Sequence, residues 1–305
     1  MKAIKSLSIL IPVYNRIVID LVNNLYNQAS ASGLAFEILC YDDFSSPAIR
    51  RQHSEYAFPP KVAYRELERN YGRSAIRNLL ASEARYDHLL FLDCDSKIIR
   101  ADFISSYISY PGYKVIIGGR LYSPLPPALP QLYLHWIAGI QKEVLSPSQR
   151  SQSPYQSLMF NNILIEKNTF QSIGLDESIK GYGHEDSLFG YILKKRNITV
   201  LHINNPVEHE SLDTNYEFLA KSREAVRNLA YLVKTYKLGT DTKLFRSYQY
   251  LKLSGTIGIF RAILSKLEAR AVASLLSSQP RVFWLDLLKL LWFADEMKSN
   301  SSDND

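Results

Sequence analysis

The sequence predicts an α/β fold: a mostly parallel central sheet with flanking helices, followed by a helical C-terminal extension. Three observations carry this. Over residues 1–215, short apolar runs alternate with stretches of helical spacing, the pattern of βαβ units. Those runs are apolar almost throughout, as in strands covered on both faces. From residue 216 to residue 298, long helical periodicity replaces them, and residues 299–305 are a polar stretch that reads as a disordered tail.

In order, Leu7 to Val13 forms a first strand, and Pro12-Val13-Tyr14-Asn15-Arg16 is the loop at its carboxyl end. Val18, Leu21, Val22 and Leu25 then give Ile17 to Gln28 a helical face, which Gly33 ends. Phe36 to Tyr41 is a second strand that runs into Asp42-Asp43, and Val62 to Arg65 is a short third. Asn70-Tyr71-Gly72 opens a helix on which Arg73 and Arg77 lie one turn apart. The apolar run His88 to Leu92 ends in Asp93-Cys94-Asp95.

Lys114 to Gly119 resumes a strand. Ser123 to Pro130 and Ser146 to Tyr155 read as surface loops around His135 and Trp136, with a lid over a ligand as the alternative. Phe160 to Ile165 is a further strand. Gly181-Tyr182-Gly183-His184 leads through Glu185-Asp186 into an amphipathic helix carrying Leu188, Phe189, Ile192 and Leu193. Val200 to Ile203 is the last strand, and His209 follows it. Beyond Asn215 come a helix with Leu219, Leu229 and Val233, a second over Thr256 to Leu276, and Val282 to Phe293, apolar nearly all round.

Composition narrows the function. The formal charge of +6 suits a phosphorylated substrate, an anionic membrane or nucleic acid. Basic residues are scattered over the first two thirds, which argues against a dedicated nucleic-acid face. Cys40 and Cys94 sit in apolar runs and read as buried thiols of a reducing compartment. The first apolar run stops at Pro12, and no window has the roughly eighteen apolar residues of a spanning helix. The expected location is the cytoplasm, with peripheral contact on the inner face of the plasma membrane as an option.

The strand ends point to the chemistry. In open α/β sheets, ligands bind at the carboxyl edge of the strands. Tyr14 and Asn15, Asp42 and Asp43, and Asp93 and Asp95 all arrive there. Alternation along a strand would place Asp93 and Asp95 on one side. A divalent cation between two carboxylates relieves their repulsion and keeps substrate phosphates as further ligands. Arg69, Arg73 and Arg77 offer guanidinium groups to phosphate or to those acids. The alternative is an acidic turn closing a core strand. Glu185 and Asp186 read either as dipole partners of a helix first turn or as a base for an acceptor hydroxyl.

Ser8-Ile9-Leu10-Ile11-Pro12-Val13-Tyr14-Asn15, Asp42-Asp43-Phe44-Ser45, Asn70-Tyr71-Gly72-Arg73-Ser74-Ala75-Ile76-Arg77-Asn78 and Phe91-Leu92-Asp93-Cys94-Asp95 resemble, in order and spacing, the signatures of family 2 glycosyltransferases. The resemblance implies the GT-A fold and a nucleotide-diphosphate sugar donor, with UDP the expected nucleotide. It implies that Pro12, Tyr14 and Asp42 line the nucleoside pocket, with Arg69 or Arg73 near it. Asn15, Arg16, Asp43, Asn70, Arg77, Asp93 and Cys94 complete the donor set.

Asn162 through Asp186 resembles the branch sharing a Gly-rich Glu-Asp motif with galactosyl- and N-acetylgalactosaminyltransferases. There the resemblance implies Asp186 as base, Glu185 holding the acceptor, and Asn162, Gly181, Tyr182, Gly183 and His184 near the sugars. It also implies Mn²⁺ or Mg²⁺ on Asp95 and His209. The expected reaction is inverting transfer of a hexose or N-acetylhexosamine to a hydroxyl of a glycan or lipid-linked acceptor, in cell-surface polysaccharide synthesis and without nucleic acid.

Two rivals stand beside this. Leu-Asp-x-Asp after an apolar strand also resembles haloacid-dehalogenase-type phosphatases, in which the first Asp is a nucleophile, and a nucleotidyltransferase is a further metal-phosphate alternative. A non-catalytic nucleotide-sugar-binding relative is the other. The C-terminal helices read equally as a cap on the enzyme domain or a second copy in a homodimer, and as an interfacial pair with Phe283, Trp284, Trp292 and Phe293 on a membrane.

Overall fold

The computed structural model describes residues 3–179, 181–238 and 242–298. The predicted tail at 299–305 lies outside them. The strands are β1 (Ser6–Val13), β2 (Ala35–Asp42), β3 (Val62–Glu66), β4 (His88–Leu92), β5 (Ser96–Ile98), β6 (Val115–Ile117), β7 (Arg120–Leu121), β8 (Asn162–Glu166), β9 (Val200–His202) and β10 (Val207–His209). They form a seven-stranded sheet ordered β3-β2-β1-β4-β8-β6-β9 and a three-stranded sheet ordered β5-β10-β7.

In the large sheet only β8 runs against its neighbours, pairing antiparallel with β4 and β6, while β1–β2, β2–β3, β1–β4 and β6–β9 are parallel. The mostly parallel α/β sheet expected from the apolar runs is the one observed. Pleating sends alternate residues to opposite faces. Ile9, Ile11 and Val13 join Ile38, Cys40, Leu90 and Leu92 on one face, under the helix Ile19–Ala31. Leu10 joins Leu39, Leu89, Phe91, Ile163 and Ile165 on the other, under the helix Arg73–Glu83. Both cysteines are free; Cys40 is buried and Cys94 half-buried. Burial, and after it the nearby Asp95, push the Cys94 thiol up to about 12, so it behaves as an apolar group.

The chain divides into two compact units. The first takes residues up to Ser123, Val144–Ile179 and Glu185–Ser211. The second takes Pro124–Glu143, Lys180–His184 and everything from Leu212. The boundary expected at 215/216 lies within that last segment, and residues 124–143 group with it. Asn215 shows why: its amide oxygen accepts from Leu134 N at 2.9 Å, and its Nδ2 donates to Pro130 O and Ser277 O at 3.4 and 3.2 Å. Residues 124–143 are thereby tied to the C-terminal helices.

Part of the predicted loop at Ser146–Tyr155 is instead the helix Pro147–Ser151, closed by a capping box between Ser146 and Gln149. It drives Arg150 into the first unit, where the buried guanidinium donates to Leu145 O, Gly118 O and Ile203 O at 3.2, 3.1 and 2.6 Å. Gly119 has φ +100°, and a Cβ there would stand 1.7 Å from Arg150 Nη1.

In the second unit the helix Asn215–Tyr236 starts at a capping box between Thr214 and Glu217. Its buried face packs on the helix Phe283–Lys298, which also packs on Lys243–Leu253 and Ile257–Leu275. Helix Lys243–Leu253 was not anticipated from the sequence. Trp292 and Phe293 are core residues, and Trp292 Nε1 donates to Glu268 Oε1 at 2.9 Å. They are not the membrane-facing aromatics the sequence offered as one option, because a third helix covers them.

Candidate active site

The carboxyl edge of β1, β2 and β4 carries the first group of residues. Asp42, at the end of β2, is fully buried; its Oδ1 accepts from Ser45 N at 2.6 Å and its Oδ2 from Tyr64 Oη at 2.8 Å. Asp43 accepts from Tyr71 N and Gly72 N at 2.6 and 3.0 Å, and Asn70 Nδ2 donates to Asp43 O at 3.1 Å. Burial raises the Asp43 carboxyl, and those two amides pull it back.

Asn15, at φ +50°, takes a bond from Ser46 N on its Oδ1, and its own N donates to Ser45 Oγ, both at 2.8 Å. These acids and amides therefore shape the rim. Tyr14, Phe44 and Tyr71 stand exposed on it, with Arg50 over the Phe44 ring and Arg69 over the Tyr71 ring. Pro12 is half-buried in β1 opposite Tyr41, and Arg16 donates to Ser211 Oγ.

The acid pair after β4 behaves differently from the strand expectation. β4 ends at Leu92, and Ser96 N bonds to Asp93 O at 3.1 Å, so Asp93-Cys94-Asp95 lies in a turn. The two carboxylates part. Asp93 meets Arg77 Nη2 at 2.6 Å, with Arg73 and Arg120 at 3.9 and 3.8 Å. An acid so neutralised is a poor phosphatase nucleophile. Asp95 instead faces His209, whose Nδ1 lies 3.4 Å from Oδ1.

The small sheet brings His209 there, because β10 runs antiparallel to β5 with His209 opposite Ser96, and Glu210 N donates to Asp95 O at 3.0 Å. The Tyr122 ring packs edge-on against the imidazole. Burial pushes Asp95 up, but His209, Arg120 and Arg73 outweigh it and hold the carboxyl down at about 2.

A divalent ion fits this pair. Asp95 Oδ1 is buried and makes no hydrogen bond within the described residues, and an imidazole nitrogen stands beside it. The set suits Mn²⁺ or Mg²⁺. Among the described residues no cluster of three His, Cys, Asp or Glu forms.

Glu185 and Asp186 open the helix Glu185–Lys195. Glu185 Oε1 sits 3.1 Å from Arg73 Nε and 3.8 Å from Arg77 Nη1, inside the same charge cluster as Asp93. Asp186 Oδ2 accepts from Phe160 N at 3.3 Å, while its buried Oδ1 makes no hydrogen bond among the described residues. Burial, then the charge of Glu185, raise Asp186 to about 7 against the pull of Arg77 and Arg73. Arg73 acts on both Asp95 and Asp186, so the two carboxyls share one electrostatic environment.

Arg77 holds this cluster together, being buried between Asp93 and Glu185. Arg77→Leu would leave two buried acids short of their counter-charge and should lower unfolding free energy by about 3–5 kcal/mol, read by urea denaturation.

Asn162, expected near the sugars, lies inside the first unit. It is fully buried; its Nδ2 donates to Gly119 O and Asn205 O at 2.9 and 2.8 Å, and its Oδ1 accepts from Tyr107 Oη at 2.6 Å. Gly181, Tyr182, Gly183 and His184 belong to the second unit. A Cβ on Gly181 would lie 1.8 Å from Glu224 Oε1, and one on Gly183 would lie 2.9 Å from Ala225 Cβ. Asn228 Nδ2 donates to Tyr182 O at 3.1 Å, so these glycines let the loop press on the helix Asn215–Tyr236. Sequence reasoning missed Arg120 and the Phe160 amide. Only the Gly118-Gly119 pair before Arg120 hinted at a crowded backbone.

Comparison with known proteins fits this geometry. Residues 8–143 match the family described as Glycosyl transferase family 2. No curated protein matches the chain by sequence. Among solved structures, the chain is similar to the mannosyltransferase PcManGT from Pyrobaculum calidifontis in complex with GDP-Man and Mn²⁺, at 11% identity and TM-score 0.55, covering 98% of this chain and 88% of that one. It is similar to mannosyl-3-phosphoglycerate synthase from Rubrobacter xylanophilus at 16% identity and TM-score 0.52, covering 76% and 75%. GalNAc-T7 with UDP, GalNAc and Mn²⁺ aligns at 19% identity and TM-score 0.50, over 68% of this chain and 43% of that one. Residues 8–143 thus match glycosyl transferase family 2, and the sheet shares the fold of these glycosyltransferase structures.

Proposed function

We propose that this chain is a glycosyltransferase that moves a hexose or N-acetylhexosamine from a nucleotide diphosphate sugar, preferentially a UDP-sugar, to a hydroxyl of a glycan or lipid-linked acceptor in cell-surface polysaccharide synthesis. The observation that carries the reading is Asp186: a buried carboxyl with an unbonded Oδ1, raised to about 7, in the same field of arginines as Asp95. A base needs a pKa near the working pH, and Asp186 meets that.

Asp186 Oδ1 takes the acceptor hydroxyl proton as the acceptor oxygen bonds to the anomeric carbon. The bond from that carbon to the diphosphate oxygen breaks, and its electron pair leaves with the nucleoside diphosphate. A single displacement of this kind inverts the anomeric centre. Arg73 and Arg120 supply positive charge beside the pocket, and the exposed rings of Tyr14, Phe44 and Tyr71 offer faces for the base. Mn²⁺ or Mg²⁺, held by Asp95 and His209, would neutralise charge on the leaving diphosphate. The Mn²⁺ in the PcManGT and GalNAc-T7 structures, with GDP-Man and UDP respectively, supports that assignment. Glu185, held by Arg73 and Arg77, fixes the helix that carries the base.

The test is a panel of UDP- and GDP-sugars with Mn²⁺, followed by release of nucleoside diphosphate and by thermal shift. A donor at a hundred times its Kd should add about 2.7 kcal/mol of stability, a rise of several degrees. If no member of the panel shifts the melting point or is consumed, the proposal falls.

A further inference from the structure

We propose that the hairpin of helices Lys243–Leu253 and Ile257–Leu275 is a wedge that seats in the headgroup layer of an anionic bilayer. The two helices are joined by Ser254-Gly255-Thr256, with Gly255 at φ +71° and Thr256 N bonded to Leu251 O at 3.0 Å. Around this tip stand apolar side chains in water: Leu253 is 88% exposed, Tyr250 74%, Ile259 65% and Ile263 56%. A groove of about 410 Å³, lined by Arg246, Ser247, Tyr250, Leu251, Phe260 and Leu290, opens beside them.

The order of residues along each helix sets what covers the tip. At 3.6 residues per turn, Lys243, Arg246, Tyr250 and Leu253 fall within roughly 80° on the first helix, and Ile259, Ile263, Lys266 and Arg270 within roughly 60° on the second. Both faces are apolar near the turn and basic farther away. The rise of 1.5 Å per residue places Arg246 about 10 Å from Leu253, and Lys266 about 10 Å from Ile259. That matches the depth at which interfacial helices bury their apolar face, with cations left at the lipid phosphates.

Charge supports lipid over protein. From 243 to 276 there are six basic residues and one acid. That acid, Glu268, is engaged by Trp292, and Arg261 is engaged by Asp295. Lys243, Arg246, Lys266 and Arg270 remain exposed as a collar. No described helix is long and apolar enough to cross a membrane, so the contact is one of surface insertion. This inference does not rest on the sugar-transfer reading.

The experiment is sedimentation of the full chain with phosphatidylcholine vesicles, with and without 30% phosphatidylglycerol. The parent should partition onto the anionic vesicles and come off as salt is raised, because each basic side chain contributes through a screened field. The double variant Lys266→Gln, Arg270→Gln should lose roughly thirtyfold in partition, and Leu253→Glu, Ile259→Glu should lose at least as much. Both pairs are exposed, and circular dichroism checks that they fold. Failure of the parent to bind anionic vesicles at low salt, or equal binding by parent and variants, overturns the proposal. So does a dimer in solution that Leu253→Glu, Ile259→Glu dissociates without any vesicle binding, which would assign the patch to a second copy.

Discussion

Asp186→Asn should lower the transfer rate by about a hundredfold to ten-thousandfold, the range that a positioned base supplies, while nucleotide binding survives. Asn keeps the size and the Oδ acceptor that Phe160 N bonds, but it cannot take the acceptor proton. The parent's rate should climb with pH through about 7, as the carboxyl empties of its proton.

The sign for stability is the opposite. The folded state holds this proton at pH values where an unfolded aspartate has lost it, so stability falls as pH rises between the ordinary carboxylate range and about 7. Removing the charge should therefore raise the melting temperature above pH 7 by a few degrees. Initial rates across pH 5–9 and melting curves of both proteins check this. A parental rate in the variant would remove Asp186 from its role.

Asp95→Ala should abolish Mn²⁺ stimulation and lower transfer on the order of a thousandfold, because several kcal/mol of charge stabilisation go with the ion. His209→Ala should do the same more weakly, leaving the carboxylate in place. The check is Mn²⁺ titration of rate and of donor-induced thermal shift, with a chelator-treated parent as reference. Asp95 is held ionised down to about 2, so loss of activity on mild acidification should follow Asp186 rather than Asp95. If Asp95→Ala responds to Mn²⁺ like the parent, the ion does not sit there.

Much of this was legible because apolar runs covered on both faces leave a plain trace. β1, β2 and β4 were readable from their continuous hydrophobicity, and the acids at their ends from abrupt changes of polarity. What failed was side-chain direction. The alternation rule placed Asp93 and Asp95 together, but it holds only inside a strand, and β4 ends one residue earlier. The resemblance put Asn162 near the sugars, yet its amide is taken up by Gly119 O, Asn205 O and Tyr107 Oη. The three-stranded sheet was invisible because β5, β7 and β10 are two or three residues long and owe their pairing to tertiary contacts. Of the hairpin only the helix over Thr256 to Leu276 was legible, and burial of Trp292 depends on helices distant in sequence.

The lone reversed strand has a consequence of its own. Because β8 enters the sheet where β4 leaves it, Asn161 O accepts from Asp93 N at 3.3 Å while the neighbouring Phe160 N donates to Asp186. The acid turn and Asp186 are therefore gauged against one another by a single backbone ladder, as two marks on one ruler. Side chains around the rim can be exchanged to suit new sugars without altering that spacing, which is what a scaffold requires if specificity is to drift while the reaction stays fixed.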